Sequence, residues 1–331
     1  MNRPRAAFAM SREAAEAVLR PEALAAFTRV CDPVPGVLHE FTGESLAEVE
    51  VLVTGWGCPE LTEQVLATAP RLRAVVHTAG TVRGHVTQAV WDKGIEVSSA
   101  AAANALPVAE YTVAMILLSG KKVLERARAY RAGVEQSGQW LDTPQAVGNY
   151  GRTVGILSAS LIGRRMLELL RPYDFRLLLH DPYVTETEAV ELGAEPVGLA
   201  ELFARADVVS VHTPLLPATV GLVSRELIDS MRHDATLINT ARGAVVDQDA
   251  LAEAALAGRV RAVLDVTDPE PLPGTHPLWR SENVLISPHL AGSQGNEWGR
   301  LAEHAVAEIA RWSSGAGFAH PVRRERLDRL A

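Results

Sequence analysis

Three short segments decide how this chain is read: L-I-N-T-A-R-G at Leu237–Gly243, L-D-V-T-D-P-E-P at Leu264–Pro271 and S-P-H-L-A-G at Ser287–Gly292. Each sets an ionisable residue after an apolar run: Arg242 after Thr236–Thr240, Asp265 and Glu270 after Val260–Leu264, and His289 after Val284–Ser287. Short apolar runs bounded by turn signals read as buried parallel strands, and open α/β sheets gather ligands at the carboxyl ends of their strands. An Arg, a carboxylate and a His are therefore expected to converge on one crevice.

That trio has a chemical logic. A fixed guanidinium can hold a carboxylate in two parallel hydrogen bonds. A His whose second ring nitrogen faces a Glu stays protonated to higher pH and is a better-poised acid. Together the groups suit a reaction in which a carboxylate-bearing molecule is anchored while a proton moves. Taken singly, a strand-end Arg, Glu or His is an ordinary ion-pair or capping residue, so the combination carries the argument.

The segments, in this order and with this spacing, resemble the signature of the D-isomer-specific 2-hydroxyacid dehydrogenases, a family that includes glycerate, lactate and phosphoglycerate dehydrogenases. The resemblance extends over most of the chain. Position by position, it implies that Arg242 binds the substrate carboxylate, that Glu270 supports His289, and that His289 is the acid/base. Asp265 matches a family Asp near the nicotinamide end of the cofactor, and Thr240, Ala241 and Gly292 fall among the implied cofactor contacts.

At 331 residues the chain fits two domains. It is 47% hydrophobic but only 5% aromatic, a balance that suits helices packed on a buried sheet. A net charge of −8 argues against nucleic acid or an anionic membrane as a general partner, since such binding rests on basic surface. The two cysteines, Cys31 and Cys58, make no disulfide framework, and no Cys/His cluster suggests a metal, so a reducing cytoplasm is the expected setting. The opening M-N-R-P-R-A-A-F-A-M-S-R-E lacks the apolar core of a signal peptide. The apolar stretch Val97–Gly120 contains Asn104, Pro107 and Glu110, which makes it a buried helix rather than a membrane span.

The first part of the chain reads as an α/β domain. A strand is expected at Arg5–Met10, a helix over Glu13–Thr28 capped by Ser11, a strand at Val51–Val53 ending in Gly55-Trp56-Gly57, a helix near Thr62–Ala69 and a strand at Arg73–His77. The turn that follows, H-T-A-G-T-V-R-G at His77–Gly84, occupies the place of the family's carboxylate-accepting G-x-G-x-D loop. Successive amides in a tight turn form an anion-binding nest, so Ala79, Gly80 and Thr81 are candidate substrate contacts. Two readings stay open for His77 and Arg83: an added basic contact to a substrate with a second anionic or bulky group, or a packed His and a surface Arg, of which the second is favoured. Asn104–Lys122 resembles the helix that crosses between the family's domains. Residues Glu125–Tyr150 correspond to a region that wraps a second subunit in relatives, so the resemblance implies a homodimer.

Thr153–Arg165, T-V-G-I-L-S-A-S-L-I-G-R-R, is the strand, turn and helix opening of a dinucleotide fold. The usual fingerprint G-x-G-x-x-G supplies a sharp turn, close approach to the pyrophosphate and tight helix packing. Here its positions are Ser158, Ser160 and Gly163, with Leu161 and Ile162 between the last two. A Ser forced into a left-handed conformation costs about 1 kcal/mol relative to Gly, yet a Ser hydroxyl at a helix N-terminus can donate to a phosphate. Dinucleotide binding is therefore expected to survive. Asp181, eighteen residues beyond Gly163 and ending the strand Phe175–His180, is placed to accept hydrogen bonds from the adenosine ribose and to repel a 2′-phosphate, which favours NAD over NADP.

The remainder alternates as a doubly wound sheet should, with strands at Asp207–Val211, Thr236–Thr240, Val260–Asp265 and Val284–Ser287. His212-Thr213-Pro214 resembles the family's nicotinamide-side turn, and a helix over Glu297–Trp312 is expected to return the chain to the first domain. The fold class is thus α/β, with two Rossmann-like domains of doubly wound parallel sheet. The substrate domain is discontinuous, covering residues 1–104 and 293–331, and the dinucleotide-binding domain covers 105–292. The resemblance implies that a small 2-oxo acid meets NADH between the domains and is reduced to the D-2-hydroxy acid. Two alternatives stand beside it. One is an NAD(H)-sensing binding protein or a catalytically silent relative, against which the intact Arg, Glu and His argue. The other is an enzyme for a phosphonate or another acid; formate enzymes of the family carry a Gln where Glu270 stands, and phosphite dehydrogenase carries a Lys in the loop that here has none between His77 and Gly84.

Overall fold

The computed structural model describes residues 3–43, 45–133, 143–144 and 147–327. The chain divides into two compact units, Met1–Ala105 with Ser293–Leu330, and Leu106–Gly292. Each is built on a parallel sheet.

The sheet of the first unit contains β1 (Arg5–Ala9), β2 (Asp32–Leu38), β3 (Val51–Thr54), β4 (Ala74–His77) and β5 (Glu96–Ser99), in the order β2-β1-β3-β4-β5. Because the sheet is covered on both faces, β3 and β4 are wholly buried and read as unbroken apolar runs ending in a polar residue, Thr54 or His77. One face packs Leu52 and Val75 against Leu61, Leu66 and Val90. The other packs Phe8, Val53 and Val76 against Phe27 and, from the returning helix Trp298–Ser313, against Ala302, Ala305 and Ile309.

The helix expected over Glu13–Thr28 is two helices, Arg12–Val18 and Pro21–Val30. Ser11 caps the first, accepting the Ala14 N–H at 3.1 Å, and Pro21 starts the second, because a proline lacks the amide that an uninterrupted helix would need there. The edge strand β2, D-P-V-P-G-V-L, gives no strand signal in sequence. Its prolines are tolerated because it pairs on one side only, with β1, and its register shifts between Ala6 and Phe8.

The second unit holds β6 (Thr153–Leu157), β7 (Arg176–His180), β8 (Glu195–Pro196), β9 (Val208–Val211), β10 (Ala235–Asn239), β11 (Val260–Leu264) and β12 (Val284–Ile286). They are ordered β12-β11-β10-β9-β6-β7-β8, so the strand order reverses between β9 and β6. Ligands of open parallel sheets bind at such a reversal, outside the carboxyl ends of the strands. Neighbouring residues of one strand serve opposite faces, Leu237 entering one core cluster and Ile238 the other.

The helix Ala101–Gly120 is long and apolar enough by composition to cross a membrane. Its Ala109, Val113 and Ile116 are instead buried against Val154, Ile156 and Met166 of the second unit's core. Cys31 and Cys58 are free and buried, burial pushing their thiols up to about 11 and about 12. The stretch Glu125–Tyr150, on which the expectation of a homodimer rests, lies in part outside the described residues.

Candidate functional site

The polar residues singled out in the second unit stand where a strand of its sheet ends or in the segment that follows it. Ser158 and Ser160 follow β6, Asp181 follows β7, His212 and Thr213 follow β9, Arg242 follows β10, Asp265 follows β11 and His289 follows β12. Since β10, β11 and β12 are neighbours, Arg242, Asp265 and His289 leave one edge of the sheet side by side.

Asp265 organises this edge. Its side chain is inside the fold, the residue being 1% exposed, and its carboxylate accepts the Ser287 hydroxyl at 2.7 Å and the amides of Leu290 and Ala291 at 2.9 Å. Its carbonyl accepts the His289 amide at 3.0 Å. Tyr111 extends the chain, its hydroxyl 2.7 Å from that of Ser287, which is already donating to Asp265. Between these bonds His289 adopts φ +51°, a left-handed conformation uncommon outside glycine, and the surrounding bonds hold it there. An ionised carboxylate has about four acceptor positions, and the chain itself uses three of those on Asp265. The expected cofactor contact at Asp265 is thus accompanied by a structural duty.

So held, the His289 ring meets Glu270, with Nδ1 2.7 Å from Oε1. A carboxylate only accepts, so Nδ1 carries the hydrogen and Nε2 is left to exchange a proton. Arg242 is close enough to feel the same carboxylate. Burial lowers the pKa of its guanidinium from the usual value, and the charge of Glu270 acts in the opposite direction.

The glycine of the A-R-G segment has a steric cause. A Cβ on Gly243 would lie 2.0 Å from the carbonyl carbon of Thr267, so only glycine lets the turn after β10 lie against the backbone leading to Glu270. Asn239 braces the same turn, accepting the Ala241 amide at 3.0 Å and donating to the Arg242 carbonyl at 2.9 Å. Thr240 lies 3.1 Å from Thr112, whose hydroxyl donates to Val108.

The Ser-substituted turn keeps the backbone that a glycine would take. Ser158 has φ +77°, and its hydroxyl lies 2.8 Å from that of Thr213, joining the two turns that flank the reversal in strand order. Ser160 is extended, and it caps the helix Leu161–Leu170 by accepting the Gly163 amide at 3.3 Å, which leaves its hydroxyl hydrogen free to donate outward. Gly163 is required, because a Cβ there would lie 2.0 Å from the Ser158 carbonyl oxygen. Asp181 accepts the amides of Ala159 and Tyr183, each at 2.8 Å, and keeps roughly two of its acceptor positions for ribose hydroxyls. These features fit a dinucleotide. Leu161 is exposed and Ile162 half-buried at the helix start, while Pro214, Ala241 and Gly292 continue the turns after β9, β10 and β12.

In the first unit, Ala79, Gly80 and Thr81 lie in the turn after β4, and among the described residues their amides donate to no protein acceptor. His77 is packed, 3% exposed, and Arg83 is an exposed side chain that donates to the Leu327 carbonyl. Residues that the sequence reading passed over are Tyr111 and Asn239, although both stand in segments quoted for other members. Nothing in sequence marks the Tyr111–Ser287 pair, whose partners are separated by 176 positions. Among the described residues no group of three or more His, Cys, Asp or Glu could hold a metal ion.

Residues 113–291 match the family model for the D-isomer specific 2-hydroxyacid dehydrogenase, NAD binding domain. A D-3-phosphoglycerate dehydrogenase of Mycobacterium leprae is 32% identical over 256 residues, which are 77% of this chain and 47% of the relative. A glyoxylate reductase of Korarchaeum cryptofilum is 31% identical over 253 residues, 76% of each chain. A solved phosphoglycerate oxidoreductase from Rhizobium etli superposes with TM-score 0.84 at 24% identity, covering 98% of this chain and 99% of its own. The chain spans about half the length of the phosphoglycerate dehydrogenases it matches.

The close approach at Gly243 gives a direct expectation. Gly243→Ala should lose about 1–3 kcal/mol or more of stability, as overpacking against rigid backbone does. Denaturant unfolding measures it, and an unchanged midpoint would contradict the contact.

Proposed function

The chain belongs to the D-isomer specific 2-hydroxyacid dehydrogenase family, and we propose that it is an NAD-dependent reductase of a small 2-oxo acid, working also in reverse on the D-2-hydroxy acid. The observation that carries the reading is the Glu270–His289 contact of 2.7 Å beside Arg242, at the carboxyl ends of adjoining parallel strands. Ser160 and the start of the helix Leu161–Leu170 would hold the pyrophosphate of the cofactor, Asp181 the adenosine ribose, and the turn His212–Pro214 the nicotinamide side. Bound NADH would supply the hydride.

The residues of this chain do the rest. The Arg242 guanidinium, partly withdrawn from water, pairs with the substrate carboxylate in two parallel bonds and so fixes the keto group. The amides of Ala79, Gly80 and Thr81 are a further proposed contact for a carboxylate. His289 gives the proton on Nε2 to the keto oxygen as negative charge develops there, and the Glu270 carboxylate on Nδ1 offsets the imidazolium charge and keeps the ring oriented. A purely sensory protein would have no use for an acid paired in this way. Homodimerisation and a cytoplasmic setting are part of the same proposal and rest on family resemblance.

Two measurements test it. In a calorimetric titration, NADH should bind in the micromolar range and NADPH at least about tenfold more weakly, because the Asp181 carboxylate repels a 2′-phosphate. Equal binding of both would remove Asp181 from cofactor choice. Arg242→Lys should lower kcat/KM about a hundredfold or more, since a point charge cannot reproduce the two-bond fork. Near-normal turnover would mean that the carboxylate is held elsewhere.

A further inference from the structure

The first unit contains a buried polar cluster that the reaction does not use. Thr54, at the end of β3, is completely buried, and its hydroxyl oxygen lies 2.9 Å from His77 Nδ1 and 3.1 Å from His85 Nε2. The two imidazoles are 3% and 4% exposed, with ring centroids 4.6 Å apart. A threonine hydroxyl has one hydrogen, so it donates to one imidazole and accepts N–H from the other, which fixes the two rings in complementary neutral tautomers. Burial supports that state. It holds His77 well below the usual imidazole range, with the charge of His85 acting in the same direction, and pushes His85 down to about 4.

The cluster has a position as well as a chemistry. His77 immediately precedes and His85 immediately follows the turn Thr78–Gly84, so both ends of that turn are tied to one hydroxyl. Thr54 ties it a third time through its carbonyl, which accepts the amide and the hydroxyl of Thr78 at 2.8 and 2.9 Å. Inside the turn, Ala79 and Val82 face the core, whereas Gly80 is half-buried and Thr81 exposed. The amides of Ala79, Gly80 and Thr81 are thereby left in a fixed turn without an acceptor among the described residues.

We propose that Thr54, His77 and His85 form a clamp that presets the Thr78–Gly84 turn to receive a carboxylate, which makes them positioning residues for the substrate. The proposal rests on the carboxylate-binding reading of that turn. A neutral clamp costs no reorganisation when an anion arrives, and because neither ring is charged it adds geometry rather than attraction. Side-chain bonds at both ends, rather than glycine conformations, set the shape of this turn.

The test compares Thr54→Val, which keeps the branched shape and removes the hydroxyl, with Thr54→Ser, which restores it. In Thr54→Val, KM for the 2-oxo acid should rise about tenfold or more, as for the loss of one charge-assisted hydrogen bond, with kcat within about twofold of wild type. The NADH dissociation constant should not move, and Thr54→Ser should recover KM. Peptide-resolved hydrogen exchange should show faster exchange at Thr78, His85 and Val86, with β1 unaffected. If Thr54→Val does not fold, His85→Phe carries the same test from the other end of the turn. A folded variant with unchanged KM, or with exchange unchanged in this segment, overturns the clamp. If the wild-type protein reduces no 2-oxo acid, the functional reading fails on its own, and exchange alone then decides the clamp: local acceleration upholds it and its absence overturns it.

Discussion

The second unit's candidate site depends on one buried carboxylate. Asp265 is out of water and would be costly there unpaired, yet three donors and a chain of hydroxyls satisfy it. All three donors come from Ser287–Ala291, the turn that presents His289. The left-handed backbone at His289 carries a cost, and these bonds hold the turn in that conformation. Remove the carboxylate and the amides of Leu290 and Ala291 lose their acceptor, so the ring that meets Glu270 loses its support.

Close backbone approach is the second constraint, and it acts at the glycines. Gly243 lets the Arg242 turn touch the backbone before Glu270, and Gly163 lets the Leu161–Leu170 helix begin against the Ser158 carbonyl. Ser158 shows what happens where a glycine is absent but its conformation is still needed. The backbone keeps φ +77° at a cost of about 1 kcal/mol, and the added hydroxyl turns inward to Thr213 rather than toward a ligand. Ser160 needs no such concession, because it is extended and replaces a glycine with a helix cap.

Much of this was legible in the sequence because buried parallel strands write themselves as apolar runs with polar ends. The apolar patterns place β10, β11 and β12 to within one residue at their ends, with Arg242, Asp265, Glu270 and His289 at or just beyond those ends. Where local chemistry competed with the pattern, the reading missed. The split at Pro21 was hidden by apolar spacing that continues through it, and β2 was hidden because an edge strand can carry prolines. The clamp at Thr54 was illegible for another reason. Its members lie 23 and 31 positions apart, and only the β3–β4 pairing brings Thr54 opposite His77.

The central claim is that His289 moves the proton that accompanies hydride transfer. The most direct measurement follows NADH consumption against a panel of small 2-oxo acids for the wild-type protein and for His289→Asn, with NADH affinity determined alongside. The account predicts that at least one 2-oxo acid is reduced, that kcat falls about 10²–10⁴-fold in the variant, as for the loss of a general acid, and that NADH affinity stays within about threefold. A variant that turns over at close to the wild-type rate would contradict it.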